Sequence, residues 1–164
     1  MPSSEPGLPE IYLRPGELFV AHEPTIIRTI LGSCVGITFW SEERGVGALC
    51  HAMLPRAPKP TAITSSLTSA HGYVDFCIFD LARQFDALGV TRSEIQVKLF
   101  GGADVLAVEN PAAKPTVGRL NCETAVEVLR EEGYGVTASS LGGNAGLKIS
   151  FNTGSGEVLL LRLT

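Results

Sequence analysis

Residues 25–40 read TIIRTILGSCVGITFW, two apolar runs interrupted only by Gly32 and Ser33. A third apolar run, residues 46–54 (VGALCHAML), follows after a short polar stretch. Short runs rich in β-branched and aromatic residues are typical of strands. No helical pattern separates these three runs. They therefore predict consecutive strands in mixed or antiparallel sheets rather than the strand–helix–strand units of a parallel sheet.

Outward from this stretch, the chain contains further short apolar runs bounded by turn residues. The predicted strands cover residues 17–20, 25–31, 34–40, 46–54, 95–100, 136–140, 147–152 and 157–163. Two proline-containing stretches, residues 55–69 and 109–117, predict loops, because proline has no backbone N–H to donate to a sheet or a helix interior.

Two segments have the apolar spacing of helices. The first runs from Val74 to a stop at Gly89, with apolar residues stepping by three or four along one side. The second covers residues 118–132, with Asn121 as its predicted N-terminal cap and Gly133 at its end. Each helix has one apolar side, which must cover a sheet. The predicted fold class is therefore α+β, with mixed β-sheets packed together and flanked by helices.

Length, charge and cysteine content narrow the protein class. The 164 residues predict one domain, residues 1–164, with residues 1–10 as a loose N-terminal arm. Thirteen basic against seventeen acidic residues give a net charge of −4, which argues against nucleic-acid binding. No apolar run approaches the length of a membrane helix, and the N-terminus lacks the pattern of a secretion signal. These two features predict a protein without membrane insertion. Four cysteines without a CxxC pair predict reduced thiols in a cytoplasmic protein.

The motifs of common cofactor sites are absent. Residues 142–148, GGNAGLK, lack the adjacent Gly-Lys-Ser/Thr of a phosphate-binding loop. A zinc site needs three or four ligands, and the one close pair, Cys50 and His51, points to opposite faces of a strand. We therefore predict neither a metal nor a cofactor.

Cys34 and His51 are the candidate reactive pair. Cys34 follows Gly32 and Ser33 at a predicted turn, where exposed backbone N–H groups would suit an oxyanion. His51 lies on a following strand and would serve as the base that a thiol needs. The alternative is a structural cysteine, since buried cysteines are common and Gly-Ser-Cys alone is a weak signal.

Several blocks of the sequence, in the same order, resemble the CheD family of chemoreceptor glutamine deamidases. The blocks are residues 29–36 (TILGSCVG), 47–55 (GALCHAMLP), 73–75 (YVD), 98–103 (KLFGGA), 117–121 (VGRLN), 141–144 (LGGN) and 153–158 (TGSGEV). This resemblance implies a fold similar to that of bacterial toxin deamidases, which are cysteine hydrolase-like. It also implies hydrolysis of receptor glutamine carboxamides to glutamate, some action on methyl esters, and no cofactor.

The resemblance also assigns residues. The family's nucleophilic cysteine falls on Cys34 and its histidine on His51. The threonine that orients the histidine falls nearest to Thr29, although some members place it where this chain has Arg28. In a regular strand these two side chains face opposite ways, so only one of them can reach the site. Gly32 and Ser33 would lie beside the oxyanion and the substrate, and the two proline-containing loops would wall an open groove.

Two other functions are compatible with the sequence. Relatives in this family bind receptors and the phosphatase CheC, so a catalytically weak receptor- or CheC-binding adaptor of the chemotaxis system is the main alternative. A redox-sensing role for Cys34 is the second. Release of ammonia from a receptor fragment distinguishes the enzyme from both.

Overall fold

The computed structural model describes residues 7–58, 70–105 and 114–163. Nine strands and two α-helices lie within these ranges, together with two short 3-10 turns at Ala70–Gly72 and Arg92–Glu94. The helices are α1 (Val74–Ala87) and α2 (Val117–Glu131). The strands are β1 (Glu10–Tyr12), β2 (Leu18–Ala21), β3 (Ile26–Leu31), β4 (Val35–Ser41), β5 (Val46–Ala52), β6 (Gln96–Gly101), β7 (Val136–Leu141), β8 (Leu147–Asn152) and β9 (Val158–Arg162).

The strands form two mixed sheets. The five-stranded sheet has the order β2-β5-β4-β6-β7, and only its β6–β7 pair is parallel. Its central strands β4 and β5 are buried at every position. The four-stranded sheet has the order β1-β3-β8-β9, with β1 parallel to β3. The chain passes from one sheet to the other between β3 and β4, at residues 32–34.

Two apolar layers hold these elements together. The inter-sheet layer contains Leu31, Leu49 and Phe151, each fully buried between the two sheets. The second layer lies between the five-stranded sheet and the helices, and it includes Phe39 and Phe85 with ring centroids 5.4 Å apart. Burial of such side chains is the main stabilising contribution to the fold.

The predicted α+β architecture of mixed sheets with flanking helices is confirmed. Every predicted strand is present, with ends within two residues of those expected. Both helices are present, and the apolar side of α2, which includes Ala125, Val128 and Leu129, is fully buried. Neither helix in the described ranges is long and apolar enough to cross a membrane.

One expectation about a chain segment is corrected. Residues 1–10 were expected to form a loose arm, but Glu10 begins β1 and pairs with Ile26, and Ile26 N donates to Pro9 O at 2.9 Å. A three-residue strand is too short for a pattern of its own, so only its neighbour β3 reveals it. Residues 1–6, and most of the predicted loops (residues 59–69 and 106–113), lie outside the described residues.

The predicted helix cap is also wrong. The cap of α2 is Thr116, whose Oγ1 accepts from Arg119 N at 3.2 Å. Helix α2 begins at Val117, so residue 117 belongs to the helix rather than to the preceding loop. Asn121 lies within the second turn and is fully buried.

Candidate active site

His51 faces the inter-sheet layer, because side chains alternate along β5. Its neighbour Cys50 packs on the opposite face, against the helices. The partner directly across from His51 on β4 is Gly36. A Cβ at Gly36 would lie 3.0 Å from Leu31 Cδ1, so a side chain there would crowd the layer that holds the imidazole. Glycine at this position leaves room beside the ring.

Cys34 lies one residue before β4 and on the same face as Gly36. Because Gly36 pairs with His51, Cys34 is a diagonal cross-strand neighbour of His51. Such neighbours have Cα atoms about 7–8 Å apart and are within reach of longer side chains. Cys34 is half-buried and packs against the inter-sheet layer. The structure therefore brings the thiol and the imidazole to one end of this layer.

Thr29 lies on the facing sheet, directly against His51. Thr29 Oγ1 is 2.6 Å from His51 Nδ1 and donates to Leu13 O at 2.9 Å. A hydroxyl has one proton, so a hydroxyl that donates to Leu13 O can only accept from Nδ1. This pattern places the ring proton on Nδ1 and leaves Nε2 as a free acceptor. All three residues are buried.

Arg28 points the other way, onto the outer face of the four-stranded sheet. Its Nε donates to Ser150 Oγ at 2.9 Å, and its guanidinium pairs with Glu10. Thr29 faces inward on a regular strand, since β3 keeps an unbroken register with β8 up to Leu31. β3 and β4 belong to different, facing sheets, so the alternation of one strand does not continue into the other.

The turn that carries Cys34 is held by its carbonyl groups. Gly32 O accepts from Ala103 N at 2.9 Å, and Cys34 O accepts from Gly102 N at 2.8 Å. At Gly101, which has φ +101°, a Cβ would lie 2.2 Å from Cys34 O, so only glycine permits this approach. The turn is therefore clamped by the end of β6.

Burial favours the neutral forms of both groups. It raises the pKa of the Cys34 thiol, and the backbone N–H of the same residue acts in the opposite direction. Burial also lowers the pKa of His51 to about 4, partly opposed by the Glu17 carboxylate. Both shifts are those expected when a charged form loses solvent. Both shifts favour a thiol and a neutral imidazole at neutral pH.

A surface cavity of about 390 Å³ opens beside the turn. It is lined by Ser33, Ala103, Asp104, Val105, Thr116, Val117 and Gly118. Val105 and Val117 are each more than two-fifths exposed, so one wall of the cavity is apolar. Ser33 is the predicted site residue that this cavity reaches.

The other cysteines and histidines lie in different surroundings. Cys77 is fully buried among core residues, and Cys122 is half-buried on α2. His71 Nε2 is 2.7 Å from Asp80 Oδ2, at the start of α1. Within the described ranges, no group of three or more His, Cys, Asp or Glu side chains could hold a metal ion.

Sequence reasoning missed Asn121 as a residue of the site. Its Nδ2 donates to Ser33 O at 2.9 Å and to Met53 O at 3.0 Å, so it contacts the backbone beside both Cys34 and His51. Its position early in a helix suggested a cap. One signal was available in the sequence: in the helical pattern, Asn121 lies on the apolar side rather than on the exposed side.

A buried hydroxyl, an imidazole and a half-exposed thiol are groups that a thiol-dependent hydrolase requires. The family model described as CheD chemotactic sensory transduction matches residues 53–162. This protein belongs to the CheD family.

Curated relatives match nearly the whole chain. A Geobacter sulfurreducens protein named probable chemoreceptor glutamine deamidase CheD 2 is 41% identical over 99% of this chain and 96% of its own length. A Maridesulfovibrio salexigens protein named probable chemoreceptor glutamine deamidase CheD is 34% identical, over 99% and 97% of the two chains. Among solved structures, the Bacillus licheniformis hypothetical protein YfiH matches with a TM-score of 0.48 and 11% identity; 75% of this chain is covered, but only about half (49%) of that protein.

Proposed function

We propose that this protein deamidates glutamine side chains of chemoreceptors to glutamate, with Cys34 as nucleophile and His51 as general base and acid. The observation that carries the proposal is the Thr29–His51 hydrogen bond of 2.6 Å, which leaves Nε2 unprotonated and able to take a proton, on a histidine whose diagonal cross-strand neighbour is Cys34. The names of the relatives supply the substrate class. The whole chain, residues 1–164, would form one deamidase domain.

The reaction begins from neutral groups. His51 Nε2 takes the thiol proton as the Cys34 sulfur attacks the glutamine Cδ, and the C=O electron pair moves onto oxygen. When the tetrahedral intermediate collapses, the imidazolium gives its proton to the leaving nitrogen. Ammonia departs, and a thioester between Cys34 and the substrate remains. His51 then takes a proton from water, which attacks the thioester and releases glutamate and the thiol. A methyl ester would react similarly, with methanol leaving.

The developing oxyanion needs hydrogen-bond donors that are already in place. The carbonyl groups of Gly32, Ser33 and Cys34 are all engaged by other parts of the protein. This arrangement leaves the N–H groups of the Ser33–Cys34 turn as candidate donors. The Cys34 N–H lowers the pKa of its own thiol against the larger effect of burial, so it favours negative charge at this place.

The surroundings suit a substrate on a protein surface. The cavity beside Ser33 is open and has an apolar wall formed by Val105 and Val117. A glutamine side chain extending from a receptor helix would enter from this side, and the helix would rest on the apolar wall. Only glutamines exposed on the receptor surface could then reach the thiol.

Incubation with a purified receptor cytoplasmic domain tests the proposal. We expect ammonia release together with the mass change of –NH2 to –OH at particular glutamines, read by peptide mass spectrometry. In water labelled with a heavy oxygen isotope, each modified glutamine should carry one labelled oxygen, because water completes the reaction. Stable receptor binding without ammonia would instead favour the adaptor function, and thiol oxidation without ammonia the redox function.

Substitution of Thr29 by valine should reduce kcat by about 10- to 100-fold, a part of the full general acid–base contribution. Valine has nearly the same shape but cannot accept a hydrogen bond from Nδ1–H, so the ring loses its fixed tautomer and orientation. Steady-state deamidation kinetics measure the change. Thr29→Ser keeps a hydroxyl and should recover most of the activity. Unchanged turnover in Thr29→Val would reduce the site to a Cys34–His51 dyad.

A further inference from the structure

Asn121 donates two hydrogen bonds from a fully buried position in helix α2. Nδ2 bonds to Ser33 O at 2.9 Å and to Met53 O at 3.0 Å. Both partners are carbonyl oxygens, which only accept, so the donor nitrogen of the amide must face them. The orientation of this side chain is therefore fixed by its partners.

The first partner belongs to the peptide unit that precedes the thiol. Ser33 C=O and Cys34 N–H lie in one trans peptide plane and point in opposite directions. A donor that holds the carbonyl on the side of α2 therefore directs the N–H away from α2. The effect of this N–H on the Cys34 thiol agrees with that direction, since it lowers the thiol pKa against the larger effect of burial.

The second partner lies just beyond the strand that carries His51. Met53 follows Ala52, which is the last residue of β5 and the partner of Val35 on β4. The Asn121 amide therefore joins the turn before β4, which carries Cys34, to the end of β5, which carries His51. A change in the spacing of these two strand ends would break one of its bonds.

Close backbone packing keeps Asn121 at this position. Gly118, one turn earlier in α2, lies so near the end of β6 that a Cβ would be 2.5 Å from Ala103 O and 2.8 Å from Gly102 O. The same segment supplies the N–H groups that hold Gly32 O and Cys34 O. The helix and the turn are thus fixed against one common segment, with little freedom to shift.

The other end of the amide argues against a role in packing alone. Asn121 Oδ1 is buried and has no hydrogen-bond partner among the described residues. A buried acceptor without a partner is unfavourable, and an apolar side chain of the same shape would avoid it. The benefit of asparagine at this position lies in its two donors.

We propose that Asn121 is a positioning residue that fixes the Ser33–Cys34 peptide plane and so directs the Cys34 N–H toward the sulfur and the oxyanion. This inference rests on the proposed thiol mechanism. Asn121 acts through the peptide and does not touch the substrate.

The test compares Asn121→Ala and Asn121→Leu with the wild type. Leucine has the same branched shape, is somewhat larger and removes both donors, so it remains informative if alanine destabilises the protein. Two quantities are measured on folded protein: the pH midpoint for alkylation of Cys34 by iodoacetamide, followed by peptide mapping, and kcat and KM for receptor deamidation. Val128→Ala, a fully buried core change two turns along the same helix, is the matched control.

We expect the alkylation midpoint to move to higher pH in both Asn121 variants, because the thiolate loses an oriented donor. We expect kcat to fall about 10- to 100-fold with KM nearly unchanged, somewhat less than the loss of a whole oxyanion donor. Val128→Ala should change neither quantity. An unchanged midpoint, or an equal shift in Val128→Ala, would overturn the proposal. The alkylation result stands even if the receptor is not a substrate, so failure of the proposed function is seen separately.

Discussion

Cys34→Ala is expected to lower receptor deamidation by about 10,000-fold or more, to the level of the uncatalysed reaction in the assay, because the proposed nucleophile and its base would act as one unit. Without the sulfur no thioester can form, and the remaining N–H donors have no attacking atom to assist. The fold should survive, since Cys34 is half-buried at a turn whose backbone bonds do not involve the side chain. Ammonia release under substrate saturation measures the loss, and the unfolding midpoint measures stability.

Two cysteine variants serve as controls for this substitution. Cys122 is the other half-exposed thiol of the chain, so Cys122→Ala controls for the general loss of a reactive sulfur. Cys50 is adjacent to His51 but faces the helices, so Cys50→Ala should cost some stability and keep catalysis. Substantial activity in Cys34→Ala, or loss of activity only in Cys122→Ala, would contradict the proposed nucleophile.

The strands of the site were predictable because their residues signal both burial and alternation. β4 and β5 are apolar at nearly every position, and both are buried on two sides, one by the helices and one by the second sheet. The separation of Cys50 from His51 follows from alternation alone. Local pattern was sufficient wherever a feature depended on one strand and its immediate neighbours.

The placement of Thr29 could not be deduced from spacing along the chain. A count of residues back from Cys34 would require one continuous strand, whereas the turn at residues 32–34 carries the chain from one sheet to the other. Thr29 faces inward because Ile27 and Leu31, two residues away on each side, pack in the inter-sheet layer. The pairing of facing sheets is a long-range property, so a single segment does not encode it.

Asn121 illustrates a second limit of local reasoning. Asparagine near the start of a helix favours a capping role, and Thr116 takes that role instead. The partners of Asn121 lie 88 and 68 residues away in sequence. Gly101, Gly102 and Gly118 carry related information, since each is required by a close backbone approach that becomes visible only in three dimensions.

His51→Gln is expected to reduce deamidation by about 1,000- to 10,000-fold, at the upper end of what general acid–base groups contribute. Glutamine can still donate a hydrogen bond to Thr29, but it cannot accept the thiol proton or return it to the leaving nitrogen. Steady-state kinetics at neutral pH measure the loss. His71→Gln is the matched control, because His71 also bonds to a buried side chain, Asp80, yet lies at the start of α1. A larger loss in His71→Gln would mean that His71, and not His51, is the base that serves the thiol.

The depressed pKa of His51 adds a pH dependence with a definite sign. Its value is about 4 in the folded protein, against about 6.5 for a solvated histidine. Between these two values the unfolded chain binds a proton that the folded protein does not, so this histidine makes unfolding more favourable as pH falls through that window and has no such effect above it. His51→Gln should therefore lose less stability than the wild type between neutral pH and pH of about 4, as measured by denaturant unfolding at several pH values.

Catalysis by the wild type should likewise persist below the usual histidine pKa and fail only as pH approaches about 4, where the base becomes protonated. An acid limb of kcat/KM centred near the usual histidine value, with identical acid stability of the two proteins, would contradict a buried, neutral His51.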